Sequence, residues 1–509
     1  MRQQAAATED SAEACRPGRK LRCRLAAIAV CLLLPAESAA NPYFLPPAAP
    51  VRPAPPVIII PPRRPVLTHL PRTTVIDGPL LAPGEPEPSV LPRPVGNLQV
   101  IVSKDLISPL VERNVSDAGP VRDFILGANV FGEQSTNTSV SLVFIPCPDA
   151  ALFQIELNGR TNNRTVGVTP QATIHSVGEH DFCIAKKVRF DGRQFMTWSP
   201  SATVLPRQQN LFAQTPLGGI PLVGPVASNF ALSEANRRTP IARNIIALKV
   251  TDEAAPRFNE EVDQKLAEAN RGLSNLVVPR LQAHDLLPDA FAQTTDRELR
   301  MTLRLGAFDD SAPPGTSAAQ PAQLTVRLHQ TFLNRVFARL PLAGAEVTDA
   351  DINRAVSQAL ALVGGAGTVG ADATENETTP SLATLRLDDQ RPLSVQFGED
   401  GFSLVLRSAF QPVIGPTIDT QEITIPYVVE SGVESVRLRP QTISITPARA
   451  DAAGLNAITE ALLRQQVESR IPEITLPRSV ELPIPGLPER PLRLIDLQLQ
   501  NGWLVLAYE

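Results

Sequence analysis

The residues of this 509-residue chain that could do chemistry are five histidines, five cysteines and, among its adjacent acids, the pairs Asp309-Asp310 and Glu399-Asp400. His175 and His180 stand beside Asp181 and Cys183, a set that could hold zinc only if folding brought it together, since no HxH or CxxC pair is present. His69 lies in a proline-rich stretch and His284 near the end of an expected helix. His329 directly follows a strand and reads as a strand-end residue rather than a base. Asp309-Asp310 and Glu399-Asp400 sit among loop and turn residues, where carboxylates are solvated, whereas glycoside hydrolysis needs two acids facing each other across a cleft. No GxSxG, no P-loop and no GxGxxG opening a helix after a strand occurs. These residues carry no catalytic signature, so neither enzyme activity, metal nor cofactor is expected.

The cysteines separate by position. Cys15, Cys23 and Cys31 fall within 1–40, which reads as an export signal. Arg16, Arg19, Lys20, Arg22 and Arg24 form its basic region, 25–34 its apolar core, and Ser38-Ala39-Ala40 a cleavage site after Ala40. The apolar run is shorter than the roughly 20 residues a bilayer span needs. The alternatives are an uncleaved anchor or a buried helix. The mature chain keeps Cys147 and Cys183, most simply a disulfide in an exported protein, with two free thiols as the alternative. Periplasmic, extracellular or cell-envelope localisation is expected, with no transmembrane segment in the mature chain. Asn114, Asn137, Asn163 and Asn376 stand in N-x-Ser/Thr sequons, which matter only in a source with that pathway.

Composition bounds the rest. The chain is 43% hydrophobic and 19% charged, with a net charge of −5. Without 1–40, which holds six basic and four acidic residues, 41 basic residues face 48 acidic ones, or −7. Two Trp and three Tyr on an acidic chain offer neither the basic surface nor the stacking platforms of a nucleic-acid binder, and that class is excluded.

Two stretches organise the chain. Residues 324–340, LTVRLHQTFLNRVFARL, alternate at Leu324, Val326 and Leu328, then switch to helical spacing at Phe332, Leu333, Val336, Phe337 and Leu340. A strand therefore runs straight into a short amphipathic helix. Residues 98–113, LQVIVSKDLISPLVER, repeat the unit without a gap. Leu98, Val100, Val102, Leu106, Ile107, Leu110 and Val111 lie over Leu324, Val326, Leu328, Phe332, Leu333, Val336 and Phe337. The fold expected is α+β, with two related halves of curved antiparallel sheet and flanking amphipathic helices.

Four segments follow in order. After the signal, 41–96 holds 17 prolines and reads as a polyproline spacer or a disordered tail. Residues 97–250 read as a β-rich domain with one short helix. Hairpin turns are expected at Asn158-Gly159 and Asp191-Gly192, a strand pair over 182–195, and a long meandering connection over 200–245. Residues 251–509 read as an α+β domain. It opens with a helix over 256–286 that Pro256 starts and Pro279 ends or kinks, followed by a strand over 299–305, a loop over 311–320 and a helix over 348–363. A loop over 364–379 leads into strands from 381 onward, a second helix spans 454–471, and late strands turn at Asn501-Gly502.

Three pieces of the C-terminal half carry a resemblance: the unit with Thr331-Phe332-Leu333-Asn334, the helix over 454–471, and the ending LPIPGLP…LRLIDLQLQNGWLVL over 482–506. In this order they resemble the tubular lipid-binding (TULIP) superfamily. The style is also similar to uncharacterised exported bacterial proteins. The TULIP resemblance implies a helix and a twisted sheet wrapped around an apolar tube, two such domains in tandem, and Phe332, Val336 and Phe337 lining or closing the tube. An exported non-catalytic protein binding a lipid or other apolar ligand is therefore expected. The alternative is a structural or interaction protein of the envelope, with an envelope component as partner and fully packed cores.

Overall fold

The computed structural model describes residues 95–308, 313–315, 322–339, 342–347, 383–412, 417–449, 455, 457–471, 473–480 and 491–509. They belong to one compact unit. The expected signal, nearly all of the spacer, the helix over 348–363 and the loop over 364–379 lie outside them.

Strand β1 (Leu98–Ser103) and helix α1 (Lys104–Val111) form the first repeat unit. Long strands follow: β2 (Arg113–Ile125), β3 (Ala128–Ile145), β4 (Ala151–Val168) and β5 (Thr173–Phe190), then β6 (Phe195–Thr197) and β7 (Ser201–Gln214). Helix α2 (Val223–Gly272) passes through a π turn at Leu273–Val277 into α3 (Val278–Ala283), and the hairpin β8 (Asp289–Thr294) and β9 (Glu298–Arg304) closes this part. The second unit is β10 (Leu324–His329) and α4 (Gln330–Phe337). Strands β11 (Glu346–Val347), β12 (Ala383–Leu387), β13 (Leu393–Phe397), β14 (Gly401–Pro412), β15 (Ile418–Ser431), β16 (Ser435–Pro440) and β17 (Ser444–Pro447) follow. Helix α5 (Ala457–Arg470), β18 (Ile474–Pro477), β19 (Ser479–Val480), β20 (Leu492–Gln500) and β21 (Trp503–Tyr508) complete the described chain.

Among the described residues these strands make three sheets. A seven-stranded sheet, ordered β19-β20-β21-β10-β1-β9-β8, joins both parts of the sequence. At its centre β1 and β10 pair antiparallel, Leu98 opposite Leu328, Val100 opposite Val326 and Val102 opposite Leu324. These are the residues that the sequence repeat superimposes, with the order reversed. A two-fold axis through the Val100/Val326 pair therefore exchanges the two units, and it also relates the flanking hairpins β8–β9 and β20–β21. Even the helix caps correspond: the Ser103 hydroxyl accepts from the Leu106 N–H at 3.3 Å, and His329 Nδ1 accepts from the Thr331 N–H at 3.3 Å. Burial drives this sheet. Val100, Leu299, Trp503 and Ala507 are fully buried and Met301 nearly so; each larger side chain removed from water contributes about 1.5–3 kcal/mol.

Two curved antiparallel sheets flank it, six-stranded β2–β7 and eight-stranded β11–β18, so the α+β class with flanking helices is the one observed. Strands β3, β4 and β5 have 18 residues each, about 60 Å long. Helix α2, with 50 residues, is about 75 Å long. It lies along β7, and Lys249 forms an ion pair with Asp123 of the opposite edge strand β2.

Several local expectations are corrected. Asn158-Gly159 is not a turn but the middle of β4, where a Cβ on Gly159 would fall 2.0 Å from the Phe182 ring that crosses it. The pair expected over 182–195 is the end of the long strand β5, which turns at Asp191-Gly192, with Gly192 at φ +97°, into the short β6, Phe190 opposite Phe195. The meandering connection over 200–245 is β7 and the start of α2. Pro256 lies inside α2, which runs through the boundary expected at 250/251, and the helical path continues past Pro279 to Ala283. Asn501-Gly502 is a tight turn, with φ of +53° and +79°.

Candidate functional site

Phe332, Val336 and Phe337 lie on α4. His329 caps this helix, and Asn334 docks it on β13 by accepting from the Val395 N–H at 2.7 Å and donating to its carbonyl at 3.0 Å. Gln330 accepts from the Phe397 N–H at 2.8 Å. Sequence reading thus places the three residues correctly on one helical side. Phe332 and Phe337 are buried in the main core, and Val336, half-buried, packs against it.

The disulfide expectation is corrected: Cys147 and Cys183 are free thiols. Cys147 lies just past the end of β3, bridged through its backbone to Thr294, while Cys183 is paired with Asn158 deep in the sheet. The β3 end, in register with Leu152 and Arg189, is six residues along β5 from Cys183. That is about 20 Å of strand, and a disulfide needs Cα atoms within about 7 Å.

His175 and His180 point to opposite faces of β5, as an odd spacing on a strand requires. His175 stacks on Phe212 with centroids 4.2 Å apart. His180, 3% exposed, bonds Asn163 through Nε2 at 3.1 Å on the α2 side. Burial pushes its pKa down against the pull of Asp181. Among the described residues no cluster of His, Cys, Asp and Glu could hold a metal ion.

The face of the sheet toward α2 changes character along its length. At one end Phe182 and Ile184 pack against Phe258, Val250 and Ala254. Beside them Lys186, 1% exposed, is anchored by the Trp198 carbonyl at 3.0 Å, Asn259 Oδ1 at 2.5 Å and Asp263 at 2.9 Å. Burial raises the Asp263 pKa, but its bonds to Thr197, Lys186 and Asn259 outweigh this and hold it below the usual carboxylate range. Further along, the same face is polar: Thr136 bonds Thr161, and Asn210 links Ser176 to Asn236 and Thr239 of α2.

The far end of this sheet is the feature that sequence reading missed. The β2–β3 turn, the β4–β5 turn and the end of β7 come together there, since Asn129 is in register with Val168, Val168 with Thr173 and Thr173 with Gln214. All three carry exposed apolar side chains: Phe124 (64%) and Phe131, Val168, and Phe212. The chain then continues as a short 3-10 turn at Pro216–Gly219 into α2, exposing Leu222 (89%), Val226 (69%) and Phe230 (75%). Leu222 has a φ of +72°, uncommon for a residue with a Cβ and a form of strain that clusters at functional sites. Val223, Val226, Phe230, Ile241 and Leu248 share one exposed side of α2. Its opposite side holds Asn236, Thr239, Val250 and Ala254 against the sheet. The signal available in the sequence was charge: 208–233 contains no Asp, Glu, Lys, Arg or His.

No protein-family model and no curated protein matches the chain. Among solved structures it is similar to the crystal structure of lipopolysaccharide binding protein, at 10% identity and a TM-score of 0.28, over 82% of this chain and 98% of that one. A likeness of that size carries neither fold nor function from one chain to the other.

Proposed function

We propose that this is an exported, non-catalytic protein that binds lipid or another apolar ligand and meets a lipid surface through the far end of the β2–β7 sheet. The observation behind this is the charge-free stretch 208–233, with Leu217, Leu222, Val226 and Phe230 turned to solvent. A folded monomer rarely exposes so large an apolar patch without an interaction to cover it. No helix among the described residues is long and apolar enough to cross a membrane. Scaling about 2 kcal/mol per fully buried side chain by the exposed fractions of Leu217, Leu222, Val226 and Phe230 gives about 5–6 kcal/mol for insertion. That corresponds to an association constant near 10⁴ M⁻¹, the marginal and reversible attachment of one acyl chain. In this reading Phe332, Val336 and Phe337 close the inner end of an apolar interior.

Flotation with neutral phosphatidylcholine vesicles tests it. The protein should rise with the vesicles, independently of salt because no charge is involved. The variant Leu222→Ser/Val226→Ser/Phe230→Ser should stay at the bottom. Absence of flotation by the parent protein would favour the second reading, an envelope structural or interaction protein. The burial of Phe332 and Phe337 in a continuous core speaks for that alternative.

A further inference from the structure

The β2–β7 sheet carries a second, chemically different feature on the face turned away from α2. A shallow, open hollow of about 590 Å³ crosses five of its strands. Two adjacent same-face rows line it: Asn114, Ser139, Asn158, Cys183 and Thr203 in one, and Ser116, Asn137, Arg160, Asp181 and Leu205 in the other. Phe182, between them in sequence, points the other way into α2.

The charges in this hollow are already matched. Arg160 holds Asp181 at 2.7 Å and Glu179 at 3.1 Å, and Arg207 reaches Asp181 at 3.7 Å. Neither an anion nor a cation would find an unanswered partner here. Burial raises the Cys183 pKa, so the thiol is neutral and poorly nucleophilic. What remains is a set of amides and hydroxyls, each amide offering donors and an acceptor in one plane. The Ser116 hydroxyl donates to Asn137 Oδ1 at 2.7 Å, a bond that does not use the Asn137 amide N–H groups. Leu205, 58% exposed, adds an apolar surface at the rim.

We infer that this hollow binds a neutral saccharide, whose hydroxyl groups pair with Asn114, Asn137, Asn158, Ser139 and Thr203 while a C–H face rests on Leu205. A ring that carries both donors and acceptors on every hydroxyl suits an uncharged amide array better than any ionic ligand does.

Asn114 and Asn137 stand in sequons, so the test uses full-length protein made in a host without N-glycosylation. Saturation-transfer NMR is run with maltotriose, cellotriose and chitotriose. Transfer to at least one trisaccharide is expected, with at least a tenfold loss of affinity in Asn137→Ala/Asn158→Ala. Ser139→Trp, which puts an indole in the middle of the hollow, should lose it as well, while melting temperature and vesicle flotation stay at the parent values. No transfer to any of the three sugars, or transfer that survives both variants, overturns the inference. Flotation is read on the same samples, so failure here is distinguishable from failure of the lipid reading.

Discussion

Lys186 and Asp263 form a pair whose two members should respond to removal to unequal degrees. The lysine side chain is 1% exposed and the aspartate side chain 41% exposed, so the buried partner is the cation. Asp263→Ala strands an ammonium inside the sheet–helix contact with only the Trp198 carbonyl and Asn259 Oδ1 as acceptors. Breaking a buried ion pair in this way costs about 3–5 kcal/mol. Because Asp263 is partly solvated, water replaces some of what it supplied, and about 2 kcal/mol is the better figure. Lys186→Met removes the buried charge along with its bonds and keeps most of the volume, so it should stay within about 1 kcal/mol of the parent. The double variant should resemble Lys186→Met. The three sheets of the described residues need not unfold in two states, so the assay is native-state hydrogen exchange in the segment 254–270 of α2. A loss of about 2 kcal/mol raises its opening equilibrium about 30-fold in Asp263→Ala. Equal effects from the two single variants, or a larger one from Lys186→Met, would refute the assignment of a stranded charge.

Other outcomes follow from the same structure. Thiol titration of the unfolded, unreduced mature protein should count both Cys147 and Cys183, and in the folded protein Cys183 should react slowly because burial raises its pKa. Phe337→Ala should cost about 3–5 kcal/mol of stability whether or not lipid is present, since Phe337 is fully buried in protein; lost ligand with unchanged stability would make it a lining residue instead. His180 has its pKa lowered from 6.5 in the fold. The unfolded chain therefore binds the extra proton first, and this contribution is complete above pH 6.5 and declines as pH falls toward the folded value. His180→Gln should flatten that part of a stability–pH curve.

The elements that sequence reading recovered are those whose apolar pattern has one period and one buried face. The 98–113 and 324–340 units satisfy that condition, and they form the centre of the molecule. Strands β3 to β5 were harder to read because their α2-facing rows turn from Leu142, Ile155 and Ile184 to Thr136, Thr161 and His180, which erases the alternation beyond the core end. Helix α2 was truncated in the reading for two reasons. Pro240 and Pro256 lie inside it, and over 223–249 only Gly224 is buried, so no core-facing stripe marks the part that was missed. The exposed end escaped notice because surface apolar residues in a Pro- and Gly-rich stretch look like loop; only the absence of charge over 208–233 distinguishes them. The disulfide expectation failed because pairing two cysteines by count ignores strand register, and register alone keeps them apart.

Depth-dependent quenching at the exposed end is the most direct measurement. Phe230→Trp places a reporter where the parent residue is 75% exposed, and the signals of Trp198 and Trp503 are subtracted using the parent protein. With vesicles brominated at shallow acyl positions, emission from the introduced indole should shift to the blue and be quenched, which would put this end of the sheet within the lipid phase. Emission that is the same with brominated and ordinary vesicles, and the same as in buffer, would contradict lipid contact at this surface.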